Sequence, residues 1–93
     1  MSQRVRFEVR ILGVAKVQTF HYSDVIPDPL PAVGEYAYPP SLSGPHSPRR
    51  VVEIESHRLG MAVVHLEPID CSRSGELSLA RSVATLRAAG WLT

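Results

Sequence analysis

Residues 4–11 read Arg-Val-Arg-Phe-Glu-Val-Arg-Ile, in which charged and apolar side chains alternate without interruption. Successive side chains of a β-strand point to opposite faces of the sheet, so this pattern predicts a strand with one buried face and one solvated face. The buried face carries Val5, Phe7, Val9 and Ile11.

Further strands are predicted on both sides of the chain's proline-rich middle. Gly13 interrupts the first strand, and residues 14–22, rich in β-branched and aromatic side chains, predict its hairpin partner. Residues 51–56 and 61–66 predict a second hairpin. Pro68 ends that hairpin, because proline cannot donate to a central ladder.

The middle of the chain, residues 27–48, holds seven of the eight prolines. Gly34 marks a turn before a short strand over residues 35–38. Residues 39–48, PPSLSGPHSP, predict a long surface loop, in which only Leu42 offers an apolar anchor. Two interpretations of this loop stay open, a recognition element and a spacer.

The C-terminal segment predicts a helix over about residues 75–89, with Ser74 as its N-cap. One stripe of this helix is apolar and carries Leu79, Val83 and Leu86. Gly90 occupies the position of a left-handed C-terminal residue, and Trp91 is expected to fold back onto Leu86 in a Schellman ending.

Together these elements predict an α+β fold, either a small antiparallel sheet or a half-open SH3-like barrel, with one C-terminal helix. The strand order, with the Pro-Ala-Val-Gly-Glu turn at 31–35, resembles small SH3-like barrels in outline over about residues 1–70. No functional residue follows from that resemblance. The predicted core comprises Val5, Phe7, Val9, Ile11, Val52, Ile54, Val64, Leu66, Leu79, Val83 and Leu86.

The amino-acid composition indicates which class of protein this chain belongs to. A chain of 93 residues, 44% hydrophobic and 20% charged, is expected to form a single globular domain. Its single cysteine excludes an internal disulfide framework and fits a reducing compartment. The N-terminus has no signal-peptide core, and no apolar run reaches the ~20 residues of a membrane span. We therefore expect a cytoplasmic protein with no membrane partner.

Catalytic and metal-binding patterns are weak. The four histidines lack metal-ligand spacing, although His57 and His65 flank one hairpin. Cys71 precedes the helix, where a nucleophile is conceivable, but a small residue packed under the helix is the simpler interpretation. The glycines form no phosphate-binding loop. We predict no metal, no cofactor and no enzymatic activity, with a small enzyme or enzyme subunit as an alternative.

Nine of the ten basic residues are arginine, and a subset of them suggests a nucleic-acid surface. Arg4, Arg6 and Arg10 share one strand face, and the pair Arg49 and Arg50 is expected nearby. Glu8 interrupts that face, and a net charge of +1 supplies little counterion-release affinity. Nucleic-acid binding is therefore the alternative function.

The favoured hypothesis is a non-enzymatic binding module that acts as a regulator, inhibitor or accessory subunit of a larger assembly. Its partner is expected to be another protein, or a second copy in a homo-oligomer. The candidate contact residues lie around the proline-rich loop and are Tyr36, Tyr38, Leu42 and His46. One of the two tyrosines is expected to pack into the core, and the position of the other stays open.

Overall fold

The computed structural model describes residues 2–27, 30–39, 48–56, 60–73 and 75–93. Six strands form one curled sheet, a half-barrel, and are followed by a single C-terminal helix, which confirms the α+β class. The elements are β1 Ser2–Leu12, β2 Val17–Pro27, β3 Tyr36–Ala37, β4 Arg49–Ser56, β5 Ala62–Leu66, β6 Ile69–Asp70 and α1 Gly75–Ala88.

Strand β1 organises the sheet, whose order is β2-β1-β5-β4-β3. On one edge β1 pairs antiparallel with β2 along its whole length, so the predicted hairpin is confirmed. On its other edge β1 pairs parallel with β5 and then with β6. The sheet is therefore mixed, and of the two predicted architectures the half-open barrel is the one observed. Parallel neighbours require a long connection, and the chain between β1 and β5 supplies one by passing through β2, β3 and β4.

The second strand is displaced from its predicted bounds. It begins at Val17 rather than at residue 14 and continues to Pro27. Residues 13–16 instead form the hairpin turn, which the Gly13 backbone N–H closes by donating to the Lys16 carbonyl at 2.8 Å. Val14 lies in this turn and is exposed.

The alternating pattern of β1 correctly identifies its buried face. The exposed fractions of Val5, Phe7, Val9 and Ile11 lie between 0% and 3%. Val64, Leu66 and Leu86 are also buried, whereas Ile54, Leu79 and Val83 are half-buried at the edge of the core.

Val52 was predicted to lie in the core, and this prediction is wrong. Val51 pairs with Leu66 and Glu53 pairs with His65, so Val52 is an extra residue in a β-bulge of β4. The bulge reverses the alternation, with the result that Val51 is buried and Val52 is 47% exposed.

The C-terminal end of α1 has the Schellman geometry that the sequence predicts. The Trp91 N–H donates to the Leu86 carbonyl at 3.0 Å, and the Gly90 N–H donates to the Arg87 carbonyl at 3.1 Å. Beyond the helix, Leu92 and His21 exchange two backbone hydrogen bonds, which join the C-terminal residues to β2. Within the described part of the chain, no helix is both long and apolar enough to cross a membrane.

Candidate functional site

The turn before β3 is held tightly against β4. The Glu35 N–H donates to the Ala32 carbonyl at 3.0 Å, and the Glu35 Oε1 accepts from the Ala32 N–H at 2.7 Å. Gly34 has a φ of 93°, which glycine adopts without strain. Two backbone hydrogen bonds of 2.8 Å then join Gly34 and Glu35 to Val51. This turn fixes the position at which β3 begins.

The alternation of β3 places two tyrosines on the surface. Ala37 is buried, so Tyr36 and Tyr38 on either side of it point away from the core, with exposed fractions of 50% and 73%. The expectation that one tyrosine packs in the core is therefore wrong. The small Ala37 side chain occupies the inward position, and the strand geometry directs both neighbours outward.

Arg50 lies directly beside Tyr36, opposite it in the β3–β4 pair. The guanidinium carbon is 5.4 Å from the centre of the Tyr36 ring, and Nη2 donates to the Tyr36 hydroxyl at 3.2 Å. This hydrogen bond raises the pKa of Arg50 above its ordinary value. Like other arginines, Arg50 is cationic at physiological pH. We refer to Tyr36, Tyr38 and Arg50 as the tyrosine patch.

A cleft of about 280 Å³ opens beside the patch. Phe7, Ile26 and Leu30 contribute apolar groups to its lining, and both tyrosines line it as well. Glu35 lines the cleft as well, so the tyrosine patch and the cleft together form a concave surface that combines apolar groups with one carboxylate and has the Arg50 cation at its border.

The structure describes two of the four predicted contact residues. Tyr36 and Tyr38 are brought together at one surface, whereas Leu42 and His46 lie outside the described residues. Arg50, assigned from the sequence to a nucleic-acid surface, instead belongs with the tyrosines. No local sequence signal indicates this, because the position of Arg50 opposite Tyr36 follows from the pairing of β3 with β4.

The predicted arginine surface separates into two parts. The side chains of Arg4, Arg6 and Arg10 share the outer face of β1, where the Arg6 Nε lies 3.3 Å from the Glu8 Oε1. Arg49 and Arg50 are not on a neighbouring strand, because β5 lies between β1 and β4. Arg49 itself is mostly buried, with its Nη1 3.4 Å from the Glu67 Oε1.

A cluster of ionisable groups on the outer face of the sheet was not predicted from the sequence. The His65 Nε2 lies 2.9 Å from the Glu55 Oε1, and its Nδ1 lies 3.4 Å from the Glu8 Oε2. Ligand atoms of His65, Glu55 and Glu53 all lie within 4.8 Å of one another. Carboxylates and imidazole are ligands for divalent cations, but both β4 glutamates are exposed. The sequence feature that could have identified this cluster is the Glu-x-Glu spacing opposite His65 in the predicted hairpin.

Cys71 lies beneath α1, as the simpler interpretation of the sequence predicts. It is buried, with its Sγ 3.6 Å from the Ser82 Oγ and 3.9 Å from the Ser78 Oγ. Two serine hydroxyls are its hydrogen-bonding neighbours in the part of the chain that the structure describes. Neither serine hydroxyl is a general base of the kind that activates a nucleophilic cysteine.

Comparison of this chain with protein-family models, with curated proteins and with solved structures finds no match.

Proposed function

We propose that this protein is a non-enzymatic binding module that docks onto another protein through the tyrosine patch and its adjoining cleft. In this role it acts as a regulator, inhibitor or accessory subunit of a larger assembly, and its place is the cytoplasm, as the single free cysteine suggests. The observation that carries the proposal is the exposure of two neighbouring tyrosines beside a cleft that Phe7, Ile26 and Leu30 line with apolar groups.

Exposed aromatic side chains at this site differ from the other large rings of the chain. Phe7, Phe20 and Trp91 are buried in the core, whereas Tyr36 and Tyr38 present their rings to solvent. Tyrosine and arginine are enriched among the residues that dominate the energy of protein interfaces. Tyrosine also loses little conformational entropy on binding, because few torsions position a large ring.

The patch is also organised before a partner arrives. The contact between Arg50 and Tyr36 restricts both side chains, and β4 holds the turn that leads into β3. A surface that is already ordered pays less entropy on association. The cleft accepts an apolar side chain of the partner, and Arg50 favours an acidic residue beside it.

Nucleic-acid binding has weaker support. Arg4 and Arg10 are exposed on the outer face of β1, but Glu8 lies between them and the Glu53–Glu55 pair lies on the same face across β5. Carboxylates at these positions oppose a phosphate backbone. Retention on single-stranded DNA at two salt concentrations tests this alternative, because phosphate contacts produce a steep salt dependence.

The first test compares Tyr38→Ala with Leu77→Ala, which removes an equally exposed apolar side chain from α1. A partner is first captured from the native host by co-purification and identified, and its affinity for each purified variant is then measured. We expect Tyr38→Ala to weaken binding at least tenfold, or about 1.4 kcal/mol.

Both variants are expected to retain the thermal midpoint of the wild type, because exposed substitutions change stability by about 0.5 kcal/mol or less. Equal affinity of the wild type and Tyr38→Ala would contradict the proposed surface. Equal losses in Tyr38→Ala and Leu77→Ala would also contradict it.

A further inference from the structure

A second and larger cavity lies between α1 and the turn of the β1–β2 hairpin. Its volume is about 640 Å³, within the range of roughly 300–1,000 Å³ that is typical of small-molecule sites. Apolar side chains from both walls line it, namely Val14 from the turn and Leu79, Val83 and Ala84 from the helix. We refer to this cavity as the helix groove.

The groove exists because α1 packs only part of its apolar stripe against the sheet. Leu86 is fully buried, but Leu79 and Val83, which belong to the same stripe, are only half-buried. At the floor of the groove Gly13 allows a close approach, since a Cβ at this position would lie 3.1 Å from the Leu79 Cδ2. Apolar surface in the helix groove therefore remains accessible to a ligand.

The charged residues in the described part of the groove lining all have one sign. Lys16 lines it from the hairpin turn and Arg87 lines it from the last turn of α1, and no carboxylate is among the described residues of the lining. An apolar channel between two cations is complementary to an amphipathic anion. A protein segment or lipid with a cationic head is disfavoured by the same arrangement.

A polar group on the groove wall also lacks a partner. The Gln18 Oε1 is inaccessible to solvent and accepts no hydrogen bond within the described ranges 2–27, 30–39, 48–56, 60–73 and 75–93. Gln18 lines the groove, and an anionic head, which only accepts hydrogen bonds, would pair with the amide N–H group of Gln18 rather than with its Oε1. The amide presents its N–H group to such a head after rotation about the last torsion.

We propose that the helix groove binds an aliphatic carboxylate, a fatty acid of medium chain length. The hydrocarbon chain lies against Leu79 and Val83, and the carboxylate lies between Lys16 and Arg87 with a hydrogen bond to Gln18. This site is separate from the tyrosine patch, because the two cavities have no lining residue in common. The fatty acid is therefore a ligand in addition to the protein partner.

The test uses sodium dodecanoate below its critical micelle concentration, with dodecyltrimethylammonium as a ligand of equal chain length and opposite charge. Binding is measured by isothermal titration calorimetry and by the methyl NMR signals of Leu79 and Val83. We expect dodecanoate to shift these signals and to bind at least tenfold more tightly than the ammonium compound.

Matched variants separate the groove from general charge and surface effects. Arg87→Glu is expected to weaken dodecanoate binding at least tenfold, whereas Arg81→Glu, on α1 but outside the groove, leaves it within twofold. Ala84→Phe fills the groove and abolishes binding, whereas Ala88→Phe outside the groove does not. Thermal midpoints close to that of the wild type verify that each variant is folded.

Three results would overturn the proposal. The first is equal affinity for dodecanoate and the ammonium compound, or no binding of either. The second is an equal loss in Arg87→Glu and Arg81→Glu. The third is a dimer in analytical ultracentrifugation that Ala84→Phe dissociates, since a second copy of the chain would then cover the groove.

Discussion

At the scale of single residues, Trp91 shows how one glycine places the largest side chain of the core. Gly90 has a φ of 96°, in the left-handed region, and this reversal directs Trp91 back under the helix. The indole packs on Tyr22 with ring centres 5.6 Å apart. Its Nε1 is buried and finds no acceptor among the described residues. Trp91 therefore contributes apolar packing at the cost of one unsatisfied N–H group.

This balance predicts different effects for two substitutions of Trp91. Trp91→Ala should lower the free energy of unfolding by about 3–5 kcal/mol, because it leaves a large cavity. Trp91→Phe should lower the free energy of unfolding by less than half as much as Trp91→Ala. The reason is that Trp91→Phe also removes the buried indole N–H group, whose lack of a hydrogen-bond acceptor costs about 1–3 kcal/mol. Guanidinium unfolding curves measure both values. If Trp91→Phe were as destabilising as Trp91→Ala, the indole N–H would have an acceptor.

At the scale of elements, the link between β6 and α1 is organised by a short polar turn. The Asp70 Oδ1 accepts hydrogen bonds from the Ser72 N–H at 2.9 Å and from the Ser72 Oγ at 2.6 Å. These hydrogen bonds lower the pKa of Asp70 below its ordinary value of 3.8, and the nearby positive charge of Arg73 contributes further. The ionised carboxylate therefore helps to hold the chain that leads into the helix.

The lowered pKa predicts a stability difference that depends on pH. Because the pKa of Asp70 is lower in the folded state than in the unfolded state, its contribution is present above pH 3.8 and is lost as the pH falls through the folded value. Asp70→Asn should thus lower the thermal midpoint at pH 7, and the difference should shrink as the pH falls below 3.8. Thermal unfolding across this range measures the effect.

Ser72→Ala provides the control, because it removes one of the two hydrogen bonds to the same carboxylate. Ser72→Ala should make the stability of the protein fall less between pH 7 and acidic pH than it does in the wild type, as Asp70→Asn should. A pH-independent difference between Asp70→Asn and the wild type would show that the carboxylate charge has no role in this turn.

At the scale of the whole molecule, the two proposed sites lie at different positions along β1. The cleft beside the tyrosine patch is lined by Phe7 in the middle of β1, whereas the helix groove begins at Gly13, just beyond the end of this strand. The two cavities share no lining residue. Substitutions in one site should therefore leave ligand binding at the other unchanged.

The proline-rich segment can be tested at this scale as well. Its central residues lie outside the described residues, but its ends are defined, because Ala37 and Arg49 pair at the end of the β3–β4 ladder. A short connection is sufficient between antiparallel neighbours. We predict that replacing residues 41–47 by a short Gly/Ser link abolishes partner binding. The thermal midpoint should be preserved, because changes in loop length alone cost about 0.6 kcal/mol per doubling.

Thermal unfolding and partner affinity are measured separately on this variant. An unfolded variant would mean that the segment belongs to the core, and a stable variant with full binding would make it a spacer. Tyr38→Ala is the reference for a loss of binding without deletion of the segment, since Tyr38 lies outside the replaced residues.

The candidate surface was predictable from the sequence only in part. Tyr36 and Tyr38 were identified because aromatic residues at alternate positions of a short strand share a face. Their exposure depends on Ala37 taking the inward position, and the pairing of Tyr36 with Arg50 depends on β4. Neither property is contained in the local sequence. The helix groove was not predicted, because it arises between two elements distant along the chain.

The sequence by itself determined the features that depend on neighbours within a few residues. These are the buried face of β1, the two hairpins, the stop at Pro68 and the helix ending at Gly90. Tertiary structure alone decided the parallel pairing of β1 with β5, because a strand edge accepts either direction and the choice depends on how the two hairpins come together. It also decided the extrusion of Val52, since a bulge adjusts one strand to its partner and leaves no periodic signal in the sequence.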